Sequence, residues 1–180
     1  ELYKVSDVEG DSGDPKILLN EDFTNFTKTN TDVQSTINDY TVTGGWEGYK
    51  IYSEGGIIRV GTSSNDGWLK TPLLSAEGEV TVKFSTVLYN TSDLGSVLTV
   101  SINSTDGSII ESKDFTPGKG TVTYKMVATV TGEFYVEFST SGSLIKKRAN
   151  VDDVVVSVAG STATELVAEV TTSETCYKFD

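Results

Sequence analysis

The chain has 180 residues, with 14 Lys plus Arg against 26 Asp plus Glu, no His, one Cys and three Pro. That length can bury one full core, while a net charge of −12 leaves no basic stripe for tracking nucleic-acid phosphates or an anionic lipid surface. The missing histidine also removes the commonest general base and metal ligand.

The chain opens on Glu1 rather than Met, so its natural start is expected to lie further upstream, and a signal peptide, if there is one, would not be seen in this sequence. Residues 1–15 carry acids, glycines and Pro15 with no apolar period, which reads as an acidic lead-in or linker. Within it Asp7, Glu9 and Asp11 imitate the start of a calcium-binding EF-hand loop. However, Gly13 falls at position 7 rather than 6 and Leu18 stands where the closing Glu belongs, so the motif fails.

From Lys16 onward short runs alternate with a period of two. Val80, Val82 and Phe84 alternate with Thr81, Lys83 and Ser85; Leu98, Val100 and Ile102 follow, then Val122, Tyr124 and Met126, then Phe134, Val136 and Phe138. One face of each run is apolar, as in half-buried antiparallel strands. Turn chemistry separates the runs at Ser64–Gly67, Asn90–Asp93, Ser104–Gly107 and Thr140–Gly142. Ser and Thr make up about a quarter of the chain, and β-branched residues dominate its apolar positions. The one weak helical segment is Asp32–Tyr40. Roughly ten strands at this spacing predict an all-β, two-sheet antiparallel β-sandwich with jelly-roll topology over residues 16–158. Residues 159–180 read as a connector plus a terminal strand or the stub of a following domain. The lone Cys176 makes no internal disulfide, and acidic neighbours at Glu174 and Asp180 would keep its thiol unreactive. The longest apolar runs are far too short for a membrane helix, so no membrane insertion by this chain is expected.

Catalytic constellations are poor. Glu133 and Glu137 share a strand face but stand about 13 Å apart at strand rise, beyond the ~5.5 Å or ~9.5 Å that retaining or inverting glycoside hydrolysis tolerates. Asp152 and Asp153 are adjacent and would point to opposite faces. There is no G-x-S-x-G elbow, and Gly118-Lys119-Gly120 lacks the upstream glycine and the Ser or Thr of a phosphate loop. Three Asn-x-Ser/Thr matches, at Asn25, Asn90 and Asn103, carry no weight in so Ser/Thr-rich a chain. Lys146, Lys147 and Arg148 form a basic run that reads as a solvated hairpin face.

The aromatic clusters are more informative. Trp46, Tyr49 and Tyr52 lie among glycines with Glu47 and Lys50, a composition that suits stacking on sugar rings with polar groups at the rim. The competing reading of Trp46 is a core plug. Trp68 reads as core, because an apolar strand continues from it.

Several segments together resemble a known pattern: Leu19–Phe23 (Leu-Asn-Glu-Asp-Phe), the Gly-Trp at Trp46, Gly55–Gly61, Asp66–Leu73, Val80–Phe84 and the closing Val151–Val156. They are similar to jelly-roll modules of the cleaved-adhesin, choice-of-anchor and MAM-like kind, found in large surface or secreted bacterial proteins. The resemblance implies a non-catalytic, extracytoplasmic module that binds carbohydrate, with polysaccharide or glycan as partner and neighbouring domains in the same polypeptide. The alternatives are a structural or adhesive spacer with a protein partner and, more distantly, a glycosidase or lyase domain. It further implies a structural calcium between Glu21, at the entry of the first strand, and Asp152, in the last. An Arg148 salt bridge in place of the metal is the other reading of those two carboxylates.

Overall fold

The computed structural model describes residues 13–141 and 147–160. Eleven strands run through the described residues: β1 (Lys16–Glu21), β2 (Thr31–Asp32), β3 (Glu47–Tyr49), β4 (Ile51–Ser53), β5 (Ile58–Val60), β6 (Trp68–Lys70), β7 (Leu74–Val87), β8 (Leu98–Ser104), β9 (Ile109–Phe115), β10 (Val122–Ser139) and β11 (Ala149–Val158). Two 3-10 turns, Ile37–Asp39 and Thr91–Asp93, are the helical elements among them. The segment 32–40, weakly helical in its pattern, thus reduces to a short strand and one tight turn. Most of the lead-in and the tail with Cys176 lie outside the described residues, and Lys146 of the basic run does too.

All strand pairs are antiparallel, and the 18-residue β10 belongs to both layers. Its first two thirds, Val122–Phe134, pair with β7, which pairs with β11. β11 in turn takes β1 along its second half and β5, β4 and β2 beside its start. From Phe134 to Ser139, β10 pairs instead with β8 on one side and β6 on the other. This gives a second layer in the order β9-β8-β10-β6-β3.

Three of the four period-two runs build the core between the layers; in the run Val122, Tyr124 and Met126 only Met126 is buried, and Val122 is 41% exposed. Val80, Val82 and Phe84, Leu98, Val100 and Ile102, and Phe134, Val136 and Phe138 are fully buried. Each such side chain withdrawn from water stabilises the fold by about 1.5–3 kcal/mol. Phe84 of the first layer meets Phe138 of the second edge-on at 5.3 Å, and Phe115 of β9 edge-on at 5.1 Å. Such pairs add about 0.5–1.5 kcal/mol beyond area alone.

Position 61 shows why a glycine stands there. Gly61 has φ +83°, and a Cβ on it would lie 1.6 Å from the Lys147 carbonyl oxygen. The sandwich closes at that point by backbone lying on backbone.

Candidate functional site

Strand parity decides which side chains leave the core on the second layer. Leu69 is buried, so its neighbours Trp68 and Lys70 on β6 point outward. The register then extends this face across all five strands. One row runs Tyr49, Trp68, Ser139, Thr99 and Asp114. The next runs Glu47, Lys70, Glu137, Ser101 and Ser112, and a third runs Tyr135, Asn103 and Ile109. At about 4.8 Å per strand the platform is about 19 Å wide.

Three aromatics stand on it, each with an ammonium beside its ring. Lys70 Nζ lies 4.7 Å from the Trp68 ring centroid and 5.1 Å from that of Tyr135, and also 3.6 Å from Glu137 Oε2. Lys50 Nζ lies 5.5 Å from the Tyr49 ring. Hydroxyl, amide and carboxylate groups fill the remaining positions, partly ordered by one another. Thr99 Oγ1 donates to Asp114 Oδ1 at 2.7 Å, and Asn103 Nδ2 donates to Ser101 Oγ at 2.9 Å. The result is an open, regular surface where flat rings alternate with hydrogen-bonding groups.

Of the three ring-stacking residues expected from the sequence, Tyr49 is on this platform, 44% exposed. Trp46 is not, and the expectation for it is corrected: it is 1% exposed and packs edge-on against Phe23 at 5.3 Å. Its backbone is fixed by Asn38, which accepts from Trp46 N–H and donates Nδ2–H to Trp46 O. It is a core residue. Tyr52 is also misplaced in that expectation, because β4 belongs to the other layer. Its ring lies 4.3 Å from the Arg59 guanidinium, whose other ring neighbour is Tyr89 at 4.4 Å. Arg148 continues the stack at 4.7 Å from Tyr89 and binds Asp93 Oδ1 at 2.9 Å. This ladder clamps the Thr91–Asp93 turn to β4, β5 and the start of β11. Conversely Trp68, expected in the core, stands on the platform. The pairing with β10 decides it: Leu69 is buried opposite Phe138, and strand parity then turns both its neighbours outward.

The expected calcium pair does not assemble. Glu21 lies opposite Val154, a core residue, and is itself 0% exposed. Its Oε1 accepts the Phe23 amide at 3.1 Å and its Oε2 the Val42 amide at 2.6 Å. Burial raises its pKa, and those amides act against the rise. Asp152 lies instead in a row with Ser85 and the exposed Thr123, whose hydroxyls bond at 2.9 Å, so it faces away from the core. The side-chain direction reverses between them because β11 bulges between Asp152 and Val155, where Asp153 takes φ +48°. Burial pushes the Asp152 carboxyl up to about 6, with the charges of Asp153 and Asp22 adding to the rise. Among the described residues no group of three or more His, Cys, Asp or Glu is placed to hold a metal ion. The Glu21–Asp152 donor set therefore does not fit a shared calcium. The Arg148 alternative fails as well, since its partner is Asp93.

No helix among the described residues is long and apolar enough to cross a membrane. No protein-family model matches the chain, and no curated protein matches it by sequence. Solved structures do match in fold. The K3 cleaved adhesin domain of Lys-gingipain from Porphyromonas gingivalis W83 is 16% identical with TM-score 0.54, covering 81% of this chain and 99% of that one. A family 29 carbohydrate-binding module complexed with mannohexaose is 14% identical with TM-score 0.53, over 82% of this chain and 94% of that one. An arabinose-bound α-L-arabinofuranosidase is 10% identical with TM-score 0.52, over 82% of this chain but 27% of that one. The chain therefore has the two-layer jelly-roll fold of cleaved-adhesin domains and carbohydrate-binding modules.

Proposed function

We propose that this chain is a non-catalytic, extracytoplasmic carbohydrate-binding module that holds a polysaccharide on the outer face of its second layer. The observation that carries the reading is the platform itself: Tyr49, Trp68 and Tyr135 on one open face, set among Ser101, Thr99, Glu47 and Glu137. Sugar rings have apolar C–H faces and hydroxyl rims, so stacking rings with nearby donors and acceptors match both. A regular sheet holds these groups at fixed spacing before any ligand arrives, which lowers the ordering cost of binding. The fold shared with the mannohexaose-bound module supports the same reading. Non-catalytic action suits the chemistry present: Glu137 is engaged by Lys70, and the surface is a flat face rather than a water-excluding cleft.

Affinity electrophoresis through gels containing soluble β-glucan, xylan, mannan or galactan tests the reading. Retardation by at least one polymer is expected, lost in Trp68→Ala and in Tyr135→Ala without loss of fold. Absence of retardation by every polymer, with no binding on a glycan array at millimolar concentration, would overturn it. That outcome would favour an adhesive or spacer module, the reading suggested by likeness to the gingipain adhesin domain.

A further inference from the structure

We infer that two copies of this chain join edge to edge through β9, which pairs with itself around Ser112 so that the two second layers become one continuous sheet. β9 is the outer strand of its layer, pairing with β8 alone among the described residues. Every residue from Ile109 to Asp114 is exposed, Ile109 by 66%. The ladder to β8 slips at Ile110 and runs unbroken from Glu111 to Phe115. The other edges suit pairing less. β2 and β3 have two and three residues, β1 slips register between Ile17 and Leu19, and β10 leaves the first layer beside Gly132, with φ +97°.

The free side of β9 fixes which registers are possible. Ser112 N–H donates to Glu111 Oε1 at 3.1 Å and so points away from β8. Backbone groups alternate in direction along an antiparallel strand, so residues 110, 112 and 114 offer theirs to a further strand. A symmetric partner must be centred on a residue between Ile110 and Asp114. Centres at Glu111 or Lys113 set a charge against its own copy, and centres at Ile110 or Asp114 leave half the strand unmatched. Centred on Ser112, each Glu111 stands opposite the second copy's Lys113. These two pairs fall at non-hydrogen-bonded sites, where facing Cα atoms are about 4.5 Å apart and side chains meet most closely. Neither side chain makes an ion pair among the described residues, and Lys113 Nζ lies 5.6 Å from the Phe115 ring. Opposite charges two residues apart therefore match in this one register and repel in its neighbours.

The approach is open as well. Glu111 and Lys113 lie opposite the buried Ile102 and Val100, so they point to the inner side of the layer, yet both are exposed. The space beneath the edge is thus free for the second copy's matching pair. A two-fold axis through Ser112 and perpendicular to the sheet keeps the outer faces of both copies on one side. Five strands from each copy, at about 4.8 Å per strand, make a surface about 43 Å wide that carries both platforms. The dimer is then bivalent, a consequence that rests on the carbohydrate reading of the platform. Two tethered platforms hold a polysaccharide more tightly than one.

The test is sedimentation velocity on the full chain without saccharide. A single strand pair is a small, weak interface, so the chain is followed from about 10 μM to about 1 mM. A reversible dimer is expected. Lys113→Glu and Glu111→Lys each set like charges face to face at both pairs and should weaken the dimer about tenfold or more. Both positions are exposed, so the thermal melts of these variants should match the parent's. An equimolar mixture of the two variants should form a heterodimer, and the double variant Glu111→Lys/Lys113→Glu should dimerise as the parent does. The inference is overturned if the parent stays monomeric throughout, if the single variants dimerise like the parent, or if either the mixture or the double variant stays monomeric. Since sedimentation uses no sugar, its failure leaves the platform reading intact, and failure of every polymer to retard the chain leaves the dimer intact.

Discussion

Substituting the two tryptophans one at a time separates what the core does from what the platform does. Trp46 is sealed against Phe23 and held by Asn38. Trp46→Ala removes its buried area and leaves a cavity whose walls cannot fully collapse, at a cost of about 3–5 kcal/mol. Against a total stability of about 5–15 kcal/mol this is a large fraction, and in a domain of this size each kcal/mol moves the melting midpoint by about 2–4 °C. A fall on the order of 10 °C is expected. Trp68→Ala removes a ring that is part-exposed and loses its contact with the Lys70 ammonium, worth about 0.5–1 kcal/mol at such a site. Its midpoint should move by no more than a few degrees. Calorimetric melts of both variants, run beside affinity electrophoresis, give opposite patterns: Trp46→Ala melts early and keeps its retardation below the midpoint, while Trp68→Ala melts late and loses it. If Trp68→Ala proved as destabilising as Trp46→Ala, the outward placement of β6 would be wrong.

Arg148→Ala should destabilise the fold by about 3 kcal/mol, because it strands the fully buried Asp93 carboxylate without its cation; urea unfolding checks this, and a loss below about 1 kcal/mol would refute it. Asp152 favours its proton in the folded state, since burial lifts its carboxyl from 3.8 to about 6. Its destabilising contribution is therefore absent below the unfolded value, develops as pH rises through that interval, and is complete above it. Asp152→Asn should then stabilise the chain near pH 8 and give no gain near pH 3.5, as read from denaturant midpoints at the two pH values; an equal gain at both would contradict the assignment. A chelator should leave the melting midpoint unchanged, because Glu21 and Asp152 do not share a face; a drop of several degrees in EDTA, restored by calcium, would reinstate a metal between the first and last strands.

Much of the architecture was legible in the sequence because period-two alternation is a local property. Val80, Val82 and Phe84 announce their strand without reference to any other, and all three are buried. The site was harder, for a physical reason: which face a short strand shows to solvent depends on its partners. Three residues, Trp68 to Lys70, are too few for alternation to declare an inside. Their facing follows once β10 supplies Phe138 opposite Leu69. Trp46 deceived in the other direction. Its glycine-rich setting resembles an exposed ring, yet Asn38, eight residues earlier, captures its backbone and turns the side chain inward. The calcium expectation failed at the β11 bulge, since one extra residue in a ladder reverses the side-chain parity on which a carboxylate pair depends. Tyr135 lies in a strand whose alternation was read for Phe134, Val136 and Phe138, and the same parity gives its outward facing.

The pairing of β1 with β11 has a mechanical consequence. Lys16 faces Val158 at the point where both strands leave the sandwich, and a Cβ on Gly160 would lie 1.9 Å from the Gly13 carbonyl oxygen. Tension applied through residues 13 and 160 therefore meets the hydrogen bonds in series, opening the Lys16–Val158 end first and peeling β1 away like a zipper. A shear geometry would load all the bonds together and resist far more. Under drag this domain should yield early and stepwise, with the exit of Leu19 and Glu21 from the interior marking its point of no return.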